Sequence, residues 1–473
     1  ISQVNTENNA RDVALLAGAL GYEDYNLFGI SYGTRLALEV MRQAPDGLRS
    51  VIIDSVSAPD VPGYAEDAIP LDEAVQQLFA MCEADEACEA AYPDLQARFS
   101  ALLDQLDEAP IELEDSTIDV EAVLEVFGQR NSQRGLSAYM PLMISELEAG
   151  TTDTFEAIQA GELPPAAVPE QTALQRAVFS RLGELSSTAQ VAALSATRTY
   201  DTGTELQGEA TRLWSSLANP DDPVQPTLAQ RFDRGVTEPL GDTISRYVLD
   251  DELVQAYLAL PLGEATTAAL VAFADEYFNG LERDELVALA NAMTPEDVEA
   301  LFEIIHGESL AVERDMTQYI TLLYYVCNED IPFDSVEAFE ASRERYAFSQ
   351  IADRFEEPVK NILANCDDYP DTWQESDDFH TPVTSDVPTL VMVGNNDTQT
   401  AFSSGERVVR TLDNGQLAQF PDAGHGTIVY GGRCAQDIAT AFTNAPLNEV
   451  DLSCTEDLRP AFVLPPEDEA DLE

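Results

Sequence analysis

Basic side chains are scarce in this sequence. Lysine occurs once, as Lys360, and lysine and arginine together number 24 against 87 aspartates and glutamates, which gives a formal net charge of -63. A surface of this sign repels phosphate backbones and anionic lipid headgroups. We therefore expect no nucleic-acid partner and no binding to anionic membranes.

The carboxylates are spread over the whole chain rather than concentrated in one segment. A surface rich in carboxylates and poor in lysine holds water and cations, and high salt screens its self-repulsion. This pattern favours adaptation to a salty environment. The alternative is that acidic walls attract a cationic ligand, such as the free amino end of a peptide.

Long apolar runs and metal-binding patterns are also missing. No stretch of about 18 apolar residues occurs, so we expect no membrane span. There are three histidines and no Cys-x-x-Cys pattern, so we expect neither a metal nor another cofactor. The chain begins at Ile1 without a signal peptide, which is consistent with an earlier loss of a leader.

The even number of cysteines favours a disulfide framework over buried free thiols. Pairing of cysteines that are neighbours in sequence, one of several possible connectivities, would give Cys82–Cys88, Cys327–Cys366 and Cys434–Cys454. Disulfides form in oxidising compartments. We therefore expect a secreted protein that is extracellular or held at the cell surface.

Hydrophobic periodicity divides the chain into four parts. Residues 1–57 predict a helix from Thr6 to Leu20 with Gly21 after it, and then alternate strand, helix and strand. Residues 385–455 return to the same alternation, beginning with a buried strand from Thr389 to Gly394. Residues 456–473 form an acidic tail. In residues 1–57 the strands run from Tyr25 to Ile30 and from Ser50 to Asp54, and the helix runs from Gly33 to Gln43.

Residues 58–384 predict mainly amphipathic helices, including 71–80, 95–106, 171–182, 266–278 and 295–305. Strand and helix alternation at both ends indicates a parallel sheet. The sequence therefore predicts an α/β fold, a mostly parallel sheet with a large helical cap inserted between its two halves.

The run Gly29-Ile30-Ser31-Tyr32-Gly33 fits Gly-x-Ser-x-Gly, the pattern of a nucleophile elbow. An apolar strand leads into it and a helix leads out. The strained turn lifts the hydroxyl of Ser31 out of the sheet, and we expect Gly29 and Gly33 to be required because side chains there would clash. The backbone N–H of Tyr32 would then donate to an oxyanion.

A serine nucleophile needs a base. His306 lies in a helical run and His380 in a polar loop, so both are poor candidates. His425 lies in Ala423-Gly424-His425-Gly426, a loop that follows a predicted strand. An imidazole there can reach over the sheet edge, and we predict that His425 is the base.

The base needs an orienting carboxylate. Asp397 follows the strand that ends at Gly394, and the order Ser31, Asp397, His425 is that of an α/β-hydrolase triad. The rival acid is Asp54, at the end of the strand after the nucleophile helix. The other interpretation of Asp54 is a carboxylate that fixes a loop.

These residues resemble the tripeptidyl-aminopeptidase-like branch of the α/β-hydrolases, which is related to the proline iminopeptidases. The resemblance covers roughly residues 1–60, 320–370 and 385–455. It rests on the elbow through Thr34, the strand before Asp397, Gly424-His425-Gly426 with Cys434, the run Tyr324-Tyr325-Val326-Cys327-Asn328-Glu329, and Cys366. It implies a secreted serine exopeptidase that releases short N-terminal pieces of peptides. It also implies that the cap holds the free amino end of the substrate, often with carboxylates.

Two departures from that branch are visible. A proline usually follows the acid soon, but here the sequence is Asp397-Thr398-Gln399-Thr400. The branch also places a glycine-rich oxyanion segment upstream of the nucleophile, and this chain lacks it, so we expect a preceding segment or a second chain to supply it. The alternatives are a carboxylesterase on the same triad, with a small ester as substrate, and a non-catalytic surface or assembly protein that reuses the fold.

Overall fold

The computed structural model describes residues 4–113, 116–161, 163, 227–237, 252–366 and 375–465. The chain forms two compact units, one of residues 1–197 with 325–473 and one of residues 198–324. The division predicted from the sequence, with a cap over 58–384, stays a prediction.

The described strands are β1 (Tyr25–Ser31), β2 (Leu48–Val56), β3 (Ile111–Glu112), β4 (Thr117–Ile118), β5 (Thr389–Gly394) and β6 (Gly415–Phe420). The first helices are α1 (Thr6–Ala19), α2 (Tyr32–Gln43), α3 (Ile69–Glu83), α4 (Glu86–Ala91), α5 (Leu95–Glu108), α6 (Val120–Gln129), α7 (Met140–Ala149) and α8 (Asp153–Ala160). Then follow α9 (Leu228–Thr237), α10 (Glu252–Ala259), α11 (Thr267–Tyr277), α12 (Gly280–Ala292) and α13 (Pro295–Tyr325). The last are α14 (Val336–Ser342), α15 (Ser349–Cys366), α16 (Phe402–Val409), α17 (Thr427–Tyr430) and α18 (Gly432–Asn444).

The sheet that carries the predicted site residues is wholly parallel, in the order β1-β2-β5-β6. Successive side chains on a strand point to opposite faces. Ile53 and Val391 accordingly pack with α2 and α16 on one face, whereas Ile52 and Leu390 pack with α18 on the other. The predicted α/β class with a parallel sheet is confirmed.

Most predicted elements occur with small shifts at their ends. The strand Thr389–Gly394 has the predicted bounds. The predicted helix 295–305 is too short, because α13 continues to Tyr325; a single glycine such as Gly307 costs a helix only about 1 kcal/mol and need not end it. The predicted helix 171–182 lies outside the described residues.

Helices α3, α5, α6, α7 and α15 share an aromatic core. Phe79 lies edge-to-face against Phe99 and Phe348, at centroid distances of 5.4 Å and 6.0 Å. The second unit has its own core, in which Phe232 and Phe273 are buried. Amphipathic periodicity thus predicted the described helices 71–80, 95–106 and 266–278 with small shifts at their ends. Their assignment to one inserted cap stays a prediction.

β1 lies at an edge of the sheet, because among the described residues it pairs only with β2. Phe28 on this strand is 48% exposed. On α1, which precedes β1, the side chains of Leu15, Leu16 and Leu20 are 70%, 60% and 64% exposed. The described residues therefore include an unpaired strand edge and, on the helix that precedes it, three exposed leucines.

The structure contains three disulfides, Cys82–Cys88, Cys327–Cys366 and Cys434–Cys454. This is the pairing between sequence neighbours, one of the connectivities that the sequence left open. In the part of the chain that the structure describes, we find no helix both long and apolar enough for a membrane span.

The disulfides should contribute unequally to stability. The entropy that a cross-link removes from the unfolded chain grows with the enclosed loop, so the 39-residue separation of Cys327–Cys366 predicts about 4 kcal/mol. The 6-residue separation of Cys82–Cys88 predicts about 2 kcal/mol. We expect replacement of the first pair by serines to lower the urea midpoint more than replacement of the second. Equal shifts in circular dichroism would contradict this order.

Candidate active site

Ser31 occupies the turn between β1 and α2. It is the last residue of the strand and the N-cap of the helix, with φ 56° and ψ -127°. A positive φ is strained for a residue with a side chain, and such strain concentrates at functional sites. Tyr32 is the first residue of α2, and the first N–H groups of a helix have no acceptor within it. The elbow therefore presents a hydroxyl beside a free backbone donor.

The two elbow glycines are not equivalent. A Cβ on Gly29 would lie 2.2 Å from the carbonyl oxygen of Gly33, so a side chain at position 29 is excluded. A Cβ on Gly33 would meet nothing within 4 Å among the described residues. The expectation that sterics require both glycines is therefore wrong for Gly33, because a Cβ there, in the first turn of α2, would enter open space.

Asp397 and His425 lie in contact, in the loops that follow β5 and β6. The Nδ1 atom of His425 is 3.1 Å from both carboxylate oxygens of Asp397. The side chain of Asp397 is 2% exposed and that of His425 is 15% exposed. With Nδ1–H donating to the carboxylate, the other ring nitrogen, Nε2, is left free to accept a proton.

The surroundings of Asp397 keep it ionised. Burial opposes ionisation, but the hydrogen bond and charge of His425 and the donors of Thr400 outweigh it and hold the pKa of Asp397 below its usual range. Its Oδ1 accepts from the N–H groups of Gln399 and Thr400, and its Oδ2 accepts from the Thr400 hydroxyl at 2.6 Å. An ionised carboxylate of this kind stabilises an imidazolium.

Asp54, the rival acid, holds the segment after His425. Its carboxylate accepts hydrogen bonds from the N–H and hydroxyl of Thr427 and from the N–H of Ile428, at 2.8–2.9 Å. Burial raises the pKa of Asp54 to about 6. The neighbouring Ser55 hydroxyl accepts from Gly426 N–H at 2.7 Å. In this structure Asp54 fixes a loop, as the other interpretation of it proposed.

The hydrogen bonds of Asp54 to the segment after His425 also place that segment near the elbow. Asp54 is in register with Ile30, which directly precedes Ser31. A Cβ on Gly426 would lie 3.8 Å from Cγ2 of Ile30. The loop of His425 therefore passes beside the end of β1, although the hydrogen bonds of the described residues include none between Ser31 and His425.

The other two histidines lie elsewhere. His380 bonds Glu375 at 2.9 Å and stacks on Phe333 at a centroid distance of 4.2 Å. His306 is exposed on α13. Neither has a described bond to Ser31 or Asp397.

Glu329 is a buried carboxylate that the sequence did not single out, and it is linked to the side chain of Tyr32 through Thr6. Glu329 accepts from the N–H of Thr6 at 2.7 Å and from its hydroxyl at 2.6 Å. The same hydroxyl is 2.5 Å from the phenol oxygen of Tyr32. Burial raises the pKa of Glu329 to about 7. The run that ends at Glu329 was part of the family resemblance, but no local pattern linked it to the elbow.

A second polar network, also missed, joins the segment after α6 to the loops of Asp397 and His425. Arg130 is 1% exposed and donates to Asn396 and to the carbonyl of Ala74. Asn396 also donates to Asp422, which accepts from Gly135 N–H at 2.8 Å. Burial lowers the pKa of Arg130 to about 10. The polar residues between α6 and α7 look in sequence like an ordinary surface loop.

The raised pKa of Glu329 makes stability depend on pH. Between an unfolded pKa of about 4.3 and the folded value of about 7, the folded state binds the extra proton. The free energy of unfolding therefore falls as pH rises through that window. We expect Glu329→Gln to remove this decline, which is about 4 kcal/mol.

The measurement is urea unfolding of both chains from pH 4 to pH 8. The stability of the variant relative to the unmodified chain should increase with pH. The same replacement at exposed Glu449 serves as the control. A difference that does not change with pH would show that Glu329 titrates normally.

One comparison with known proteins gives a match. Residues 352–454 match the family model Abhydrolase_4, described as "TAP-like protein". The matched part holds Asp397 and His425, and Ser31 lies outside it. No curated protein matches the chain. The resemblance to the TAP-like α/β-hydrolases is confirmed for this part of the chain, which indicates a hydrolase.

Proposed function

We propose, on the premise of this TAP-like hydrolase region, that the chain is a secreted serine hydrolase and acts as an aminopeptidase. The observation that carries the proposal is the contact of His425 with the ionised, buried Asp397, at the sheet edge where the strained Ser31 leaves β1. A buried carboxylate against a histidine beside an exposed helix N-terminus is the arrangement that activates a serine.

In the proposed reaction Ser31 attacks the carbonyl carbon of the substrate. His425 takes the hydroxyl proton at Nε2, while Asp397 holds Nδ1–H and stabilises the imidazolium. The negative charge that develops on the carbonyl oxygen is met by the N–H of Tyr32. His425 then returns the proton to the leaving amine, which departs and leaves an acyl group on Ser31.

The second half repeats these roles with water. His425 takes a proton from a water molecule, whose oxygen attacks the acyl carbon. The tetrahedral intermediate collapses, the bond to Ser31 breaks, and the proton goes back to the serine oxygen. The Asp397–His425 contact therefore orients the base in both halves of the proposed reaction.

A fluorophosphonate probe tests the nucleophile directly. We expect one adduct, on Ser31, in peptide mass maps of the natively purified protein, and none after Ser31→Ala. Asp397→Asn should slow labelling by about 10³–10⁴-fold, because the histidine then loses its required tautomer.

Asp54→Asn is the matched control for the acid. It should slow labelling far less, since Asp54 bonds the loop rather than the ring. A folded protein with no adduct on Ser31 would contradict the enzymatic proposal and favour the non-catalytic interpretation. Equal losses in the two asparagine variants would contradict the choice of Asp397.

Carboxylates close to the elbow support a peptidase rather than an esterase. Glu329 is joined to the Tyr32 side chain through Thr6, and Asp330 follows it, paired with Arg35 at 2.5 Å. A substrate ammonium group beside Glu329 would favour its ionised form, because an opposite charge lowers a carboxyl pKa. We propose Glu329 as the group that recognises the free amino end.

Substrate pairs distinguish the two activities. Peptide anilides with a free α-amine should be cleaved with a kcat/KM about 30-fold or more above their N-acetylated forms, since losing one partner of a buried charge pair costs about 2–5 kcal/mol. Glu329→Gln should reduce this preference. Equal rates on both forms, with faster cleavage of short p-nitrophenyl esters, would indicate a carboxylesterase.

The proposed location rests on the three disulfides. Disulfides of this kind persist in oxidising surroundings and are rare in the cytosol. We therefore propose that the protein works outside the cell or at its surface. The acidic surface, with its single lysine, suits a site of high ionic strength.

A further inference from the structure

Asn131 touches both catalytic loops with one atom. Its Oδ1 accepts a hydrogen bond from the N–H of Thr398 at 3.1 Å and another from the N–H of His425 at 3.0 Å. Thr398 directly follows Asp397, so the first bond holds the acid loop. The second holds the histidine itself. A carbonyl oxygen has two lone pairs and can accept both bonds.

The chemistry fixes which side-chain atom faces the loops. Both partners are backbone donors, so only the oxygen of the Asn131 amide can satisfy them, and the flipped amide would place donor against donor. Among the described residues, these two N–H groups have no other acceptor. Removing the oxygen would leave both N–H groups without this acceptor, which is unfavourable for donors shielded from water.

Asn131 is itself held in place. The next residue back, Arg130, is buried and bonded to Asn396 and Ala74. The Asn131 N–H donates to the carbonyl of Gly128 at 3.0 Å. The position of the oxygen is therefore set by α6 and by the buried network.

Backbone packing closes the contact from the other side. A Cβ on Gly424 would lie 1.8 Å from the carbonyl oxygen of Asn131. Only glycine permits this approach, and it brings the histidine loop flat against Asn131. Two kinds of contact thus hold the loops of Asp397 and His425 near Asn131. One is the pair of hydrogen bonds to its side-chain oxygen, and the other is the close packing of Gly424 on its backbone carbonyl.

We infer that Asn131 is a positioning residue that sets the distance between Asp397 and His425. The inference rests on the proposed function, because it assigns Asn131 a role in orienting the base. Asn131 acts through the backbone of both loops and touches no reacting atom. Its carboxamide joins the acid loop, the histidine loop and the segment after α6 into one rigid arrangement.

The first test needs no variant. Hydrogen exchange of the native protein should show slowed exchange at the N–H groups of Thr398 and His425. Exchange of either amide at the rate of a free chain would overturn the inference, whatever the activity of the protein.

The second test reads the histidine ring directly. The chain has three histidines, so ¹⁵N-histidine labelling with His425→Gln for assignment isolates the ring signals of His425. The native protein should show the Nδ1–H tautomer. Folded Asn131→Ala should show mixed tautomers and about 10²-fold slower fluorophosphonate labelling, as a misplaced base predicts.

Asn131→Asp keeps an accepting oxygen. It should retain the Nδ1–H tautomer, because the backbone N–H groups of Thr398 and His425 keep their acceptor. Asn414→Ala, at an exposed asparagine that bonds one carbonyl, is the matched control and should change neither readout.

Native tautomers in folded Asn131→Ala would overturn the inference, and so would loss of the Nδ1–H tautomer in Asn131→Asp. If the alanine variant does not fold, amide exchange in the native protein and the aspartate variant still decide. If the native protein is not labelled on Ser31 at all, the proposed function fails, while exchange and tautomer still test Asn131 separately.

Discussion

The pairing of β2 with β5 is the constraint on which the candidate site depends. It places Val51 opposite Thr389 and so joins two distant parts of the chain. Without it, the elbow would have no fixed relation to the acid and histidine loops. The carboxylate of Asp54 extends this join beyond the end of the strands, because it ties the end of β2 to Thr427. Closing so long a loop costs little more entropy than closing a shorter one, but such distant pairing is slow to form.

The two aspartates at this edge show how surroundings decide the role of a carboxyl group. Asp54 and Asp397 are both buried. The pKa of Asp54 is raised, because burial dominates and its partners are neutral donors. The pKa of Asp397 is lowered, because a histidine lies against it and opposes the effect of burial. Asp54 therefore fixes a loop through hydrogen bonds, and Asp397 stays ionised against His425.

Local patterns predicted the elbow strand and helix, the strand before Asp397 and the loop of His425, because each has its own hydrophobic period and turn residues. The same reasoning could not find Asn131, whose partners are backbone groups far away in sequence. It also could not find the burial of Arg130, since a polar run between helices predicts a surface loop. Sterics inferred from the motif alone failed at Gly33, because the direction of a Cβ depends on the helix that follows.

Among the described residues the outer edge of β1 is unpaired, and an unpaired strand edge can pair with that of another chain. Two strand edges pair at about 4.8 Å, and at low ionic strength the shared negative charge opposes that approach. Screening reduces the reach of this repulsion from about 10 Å at 0.1 M salt to about 3 Å at 1 M. Salt that relieves crowding among the surface carboxylates therefore also removes the barrier between exposed edges and apolar helix surfaces. For this chain, rising ionic strength therefore favours both the folded state and self-association.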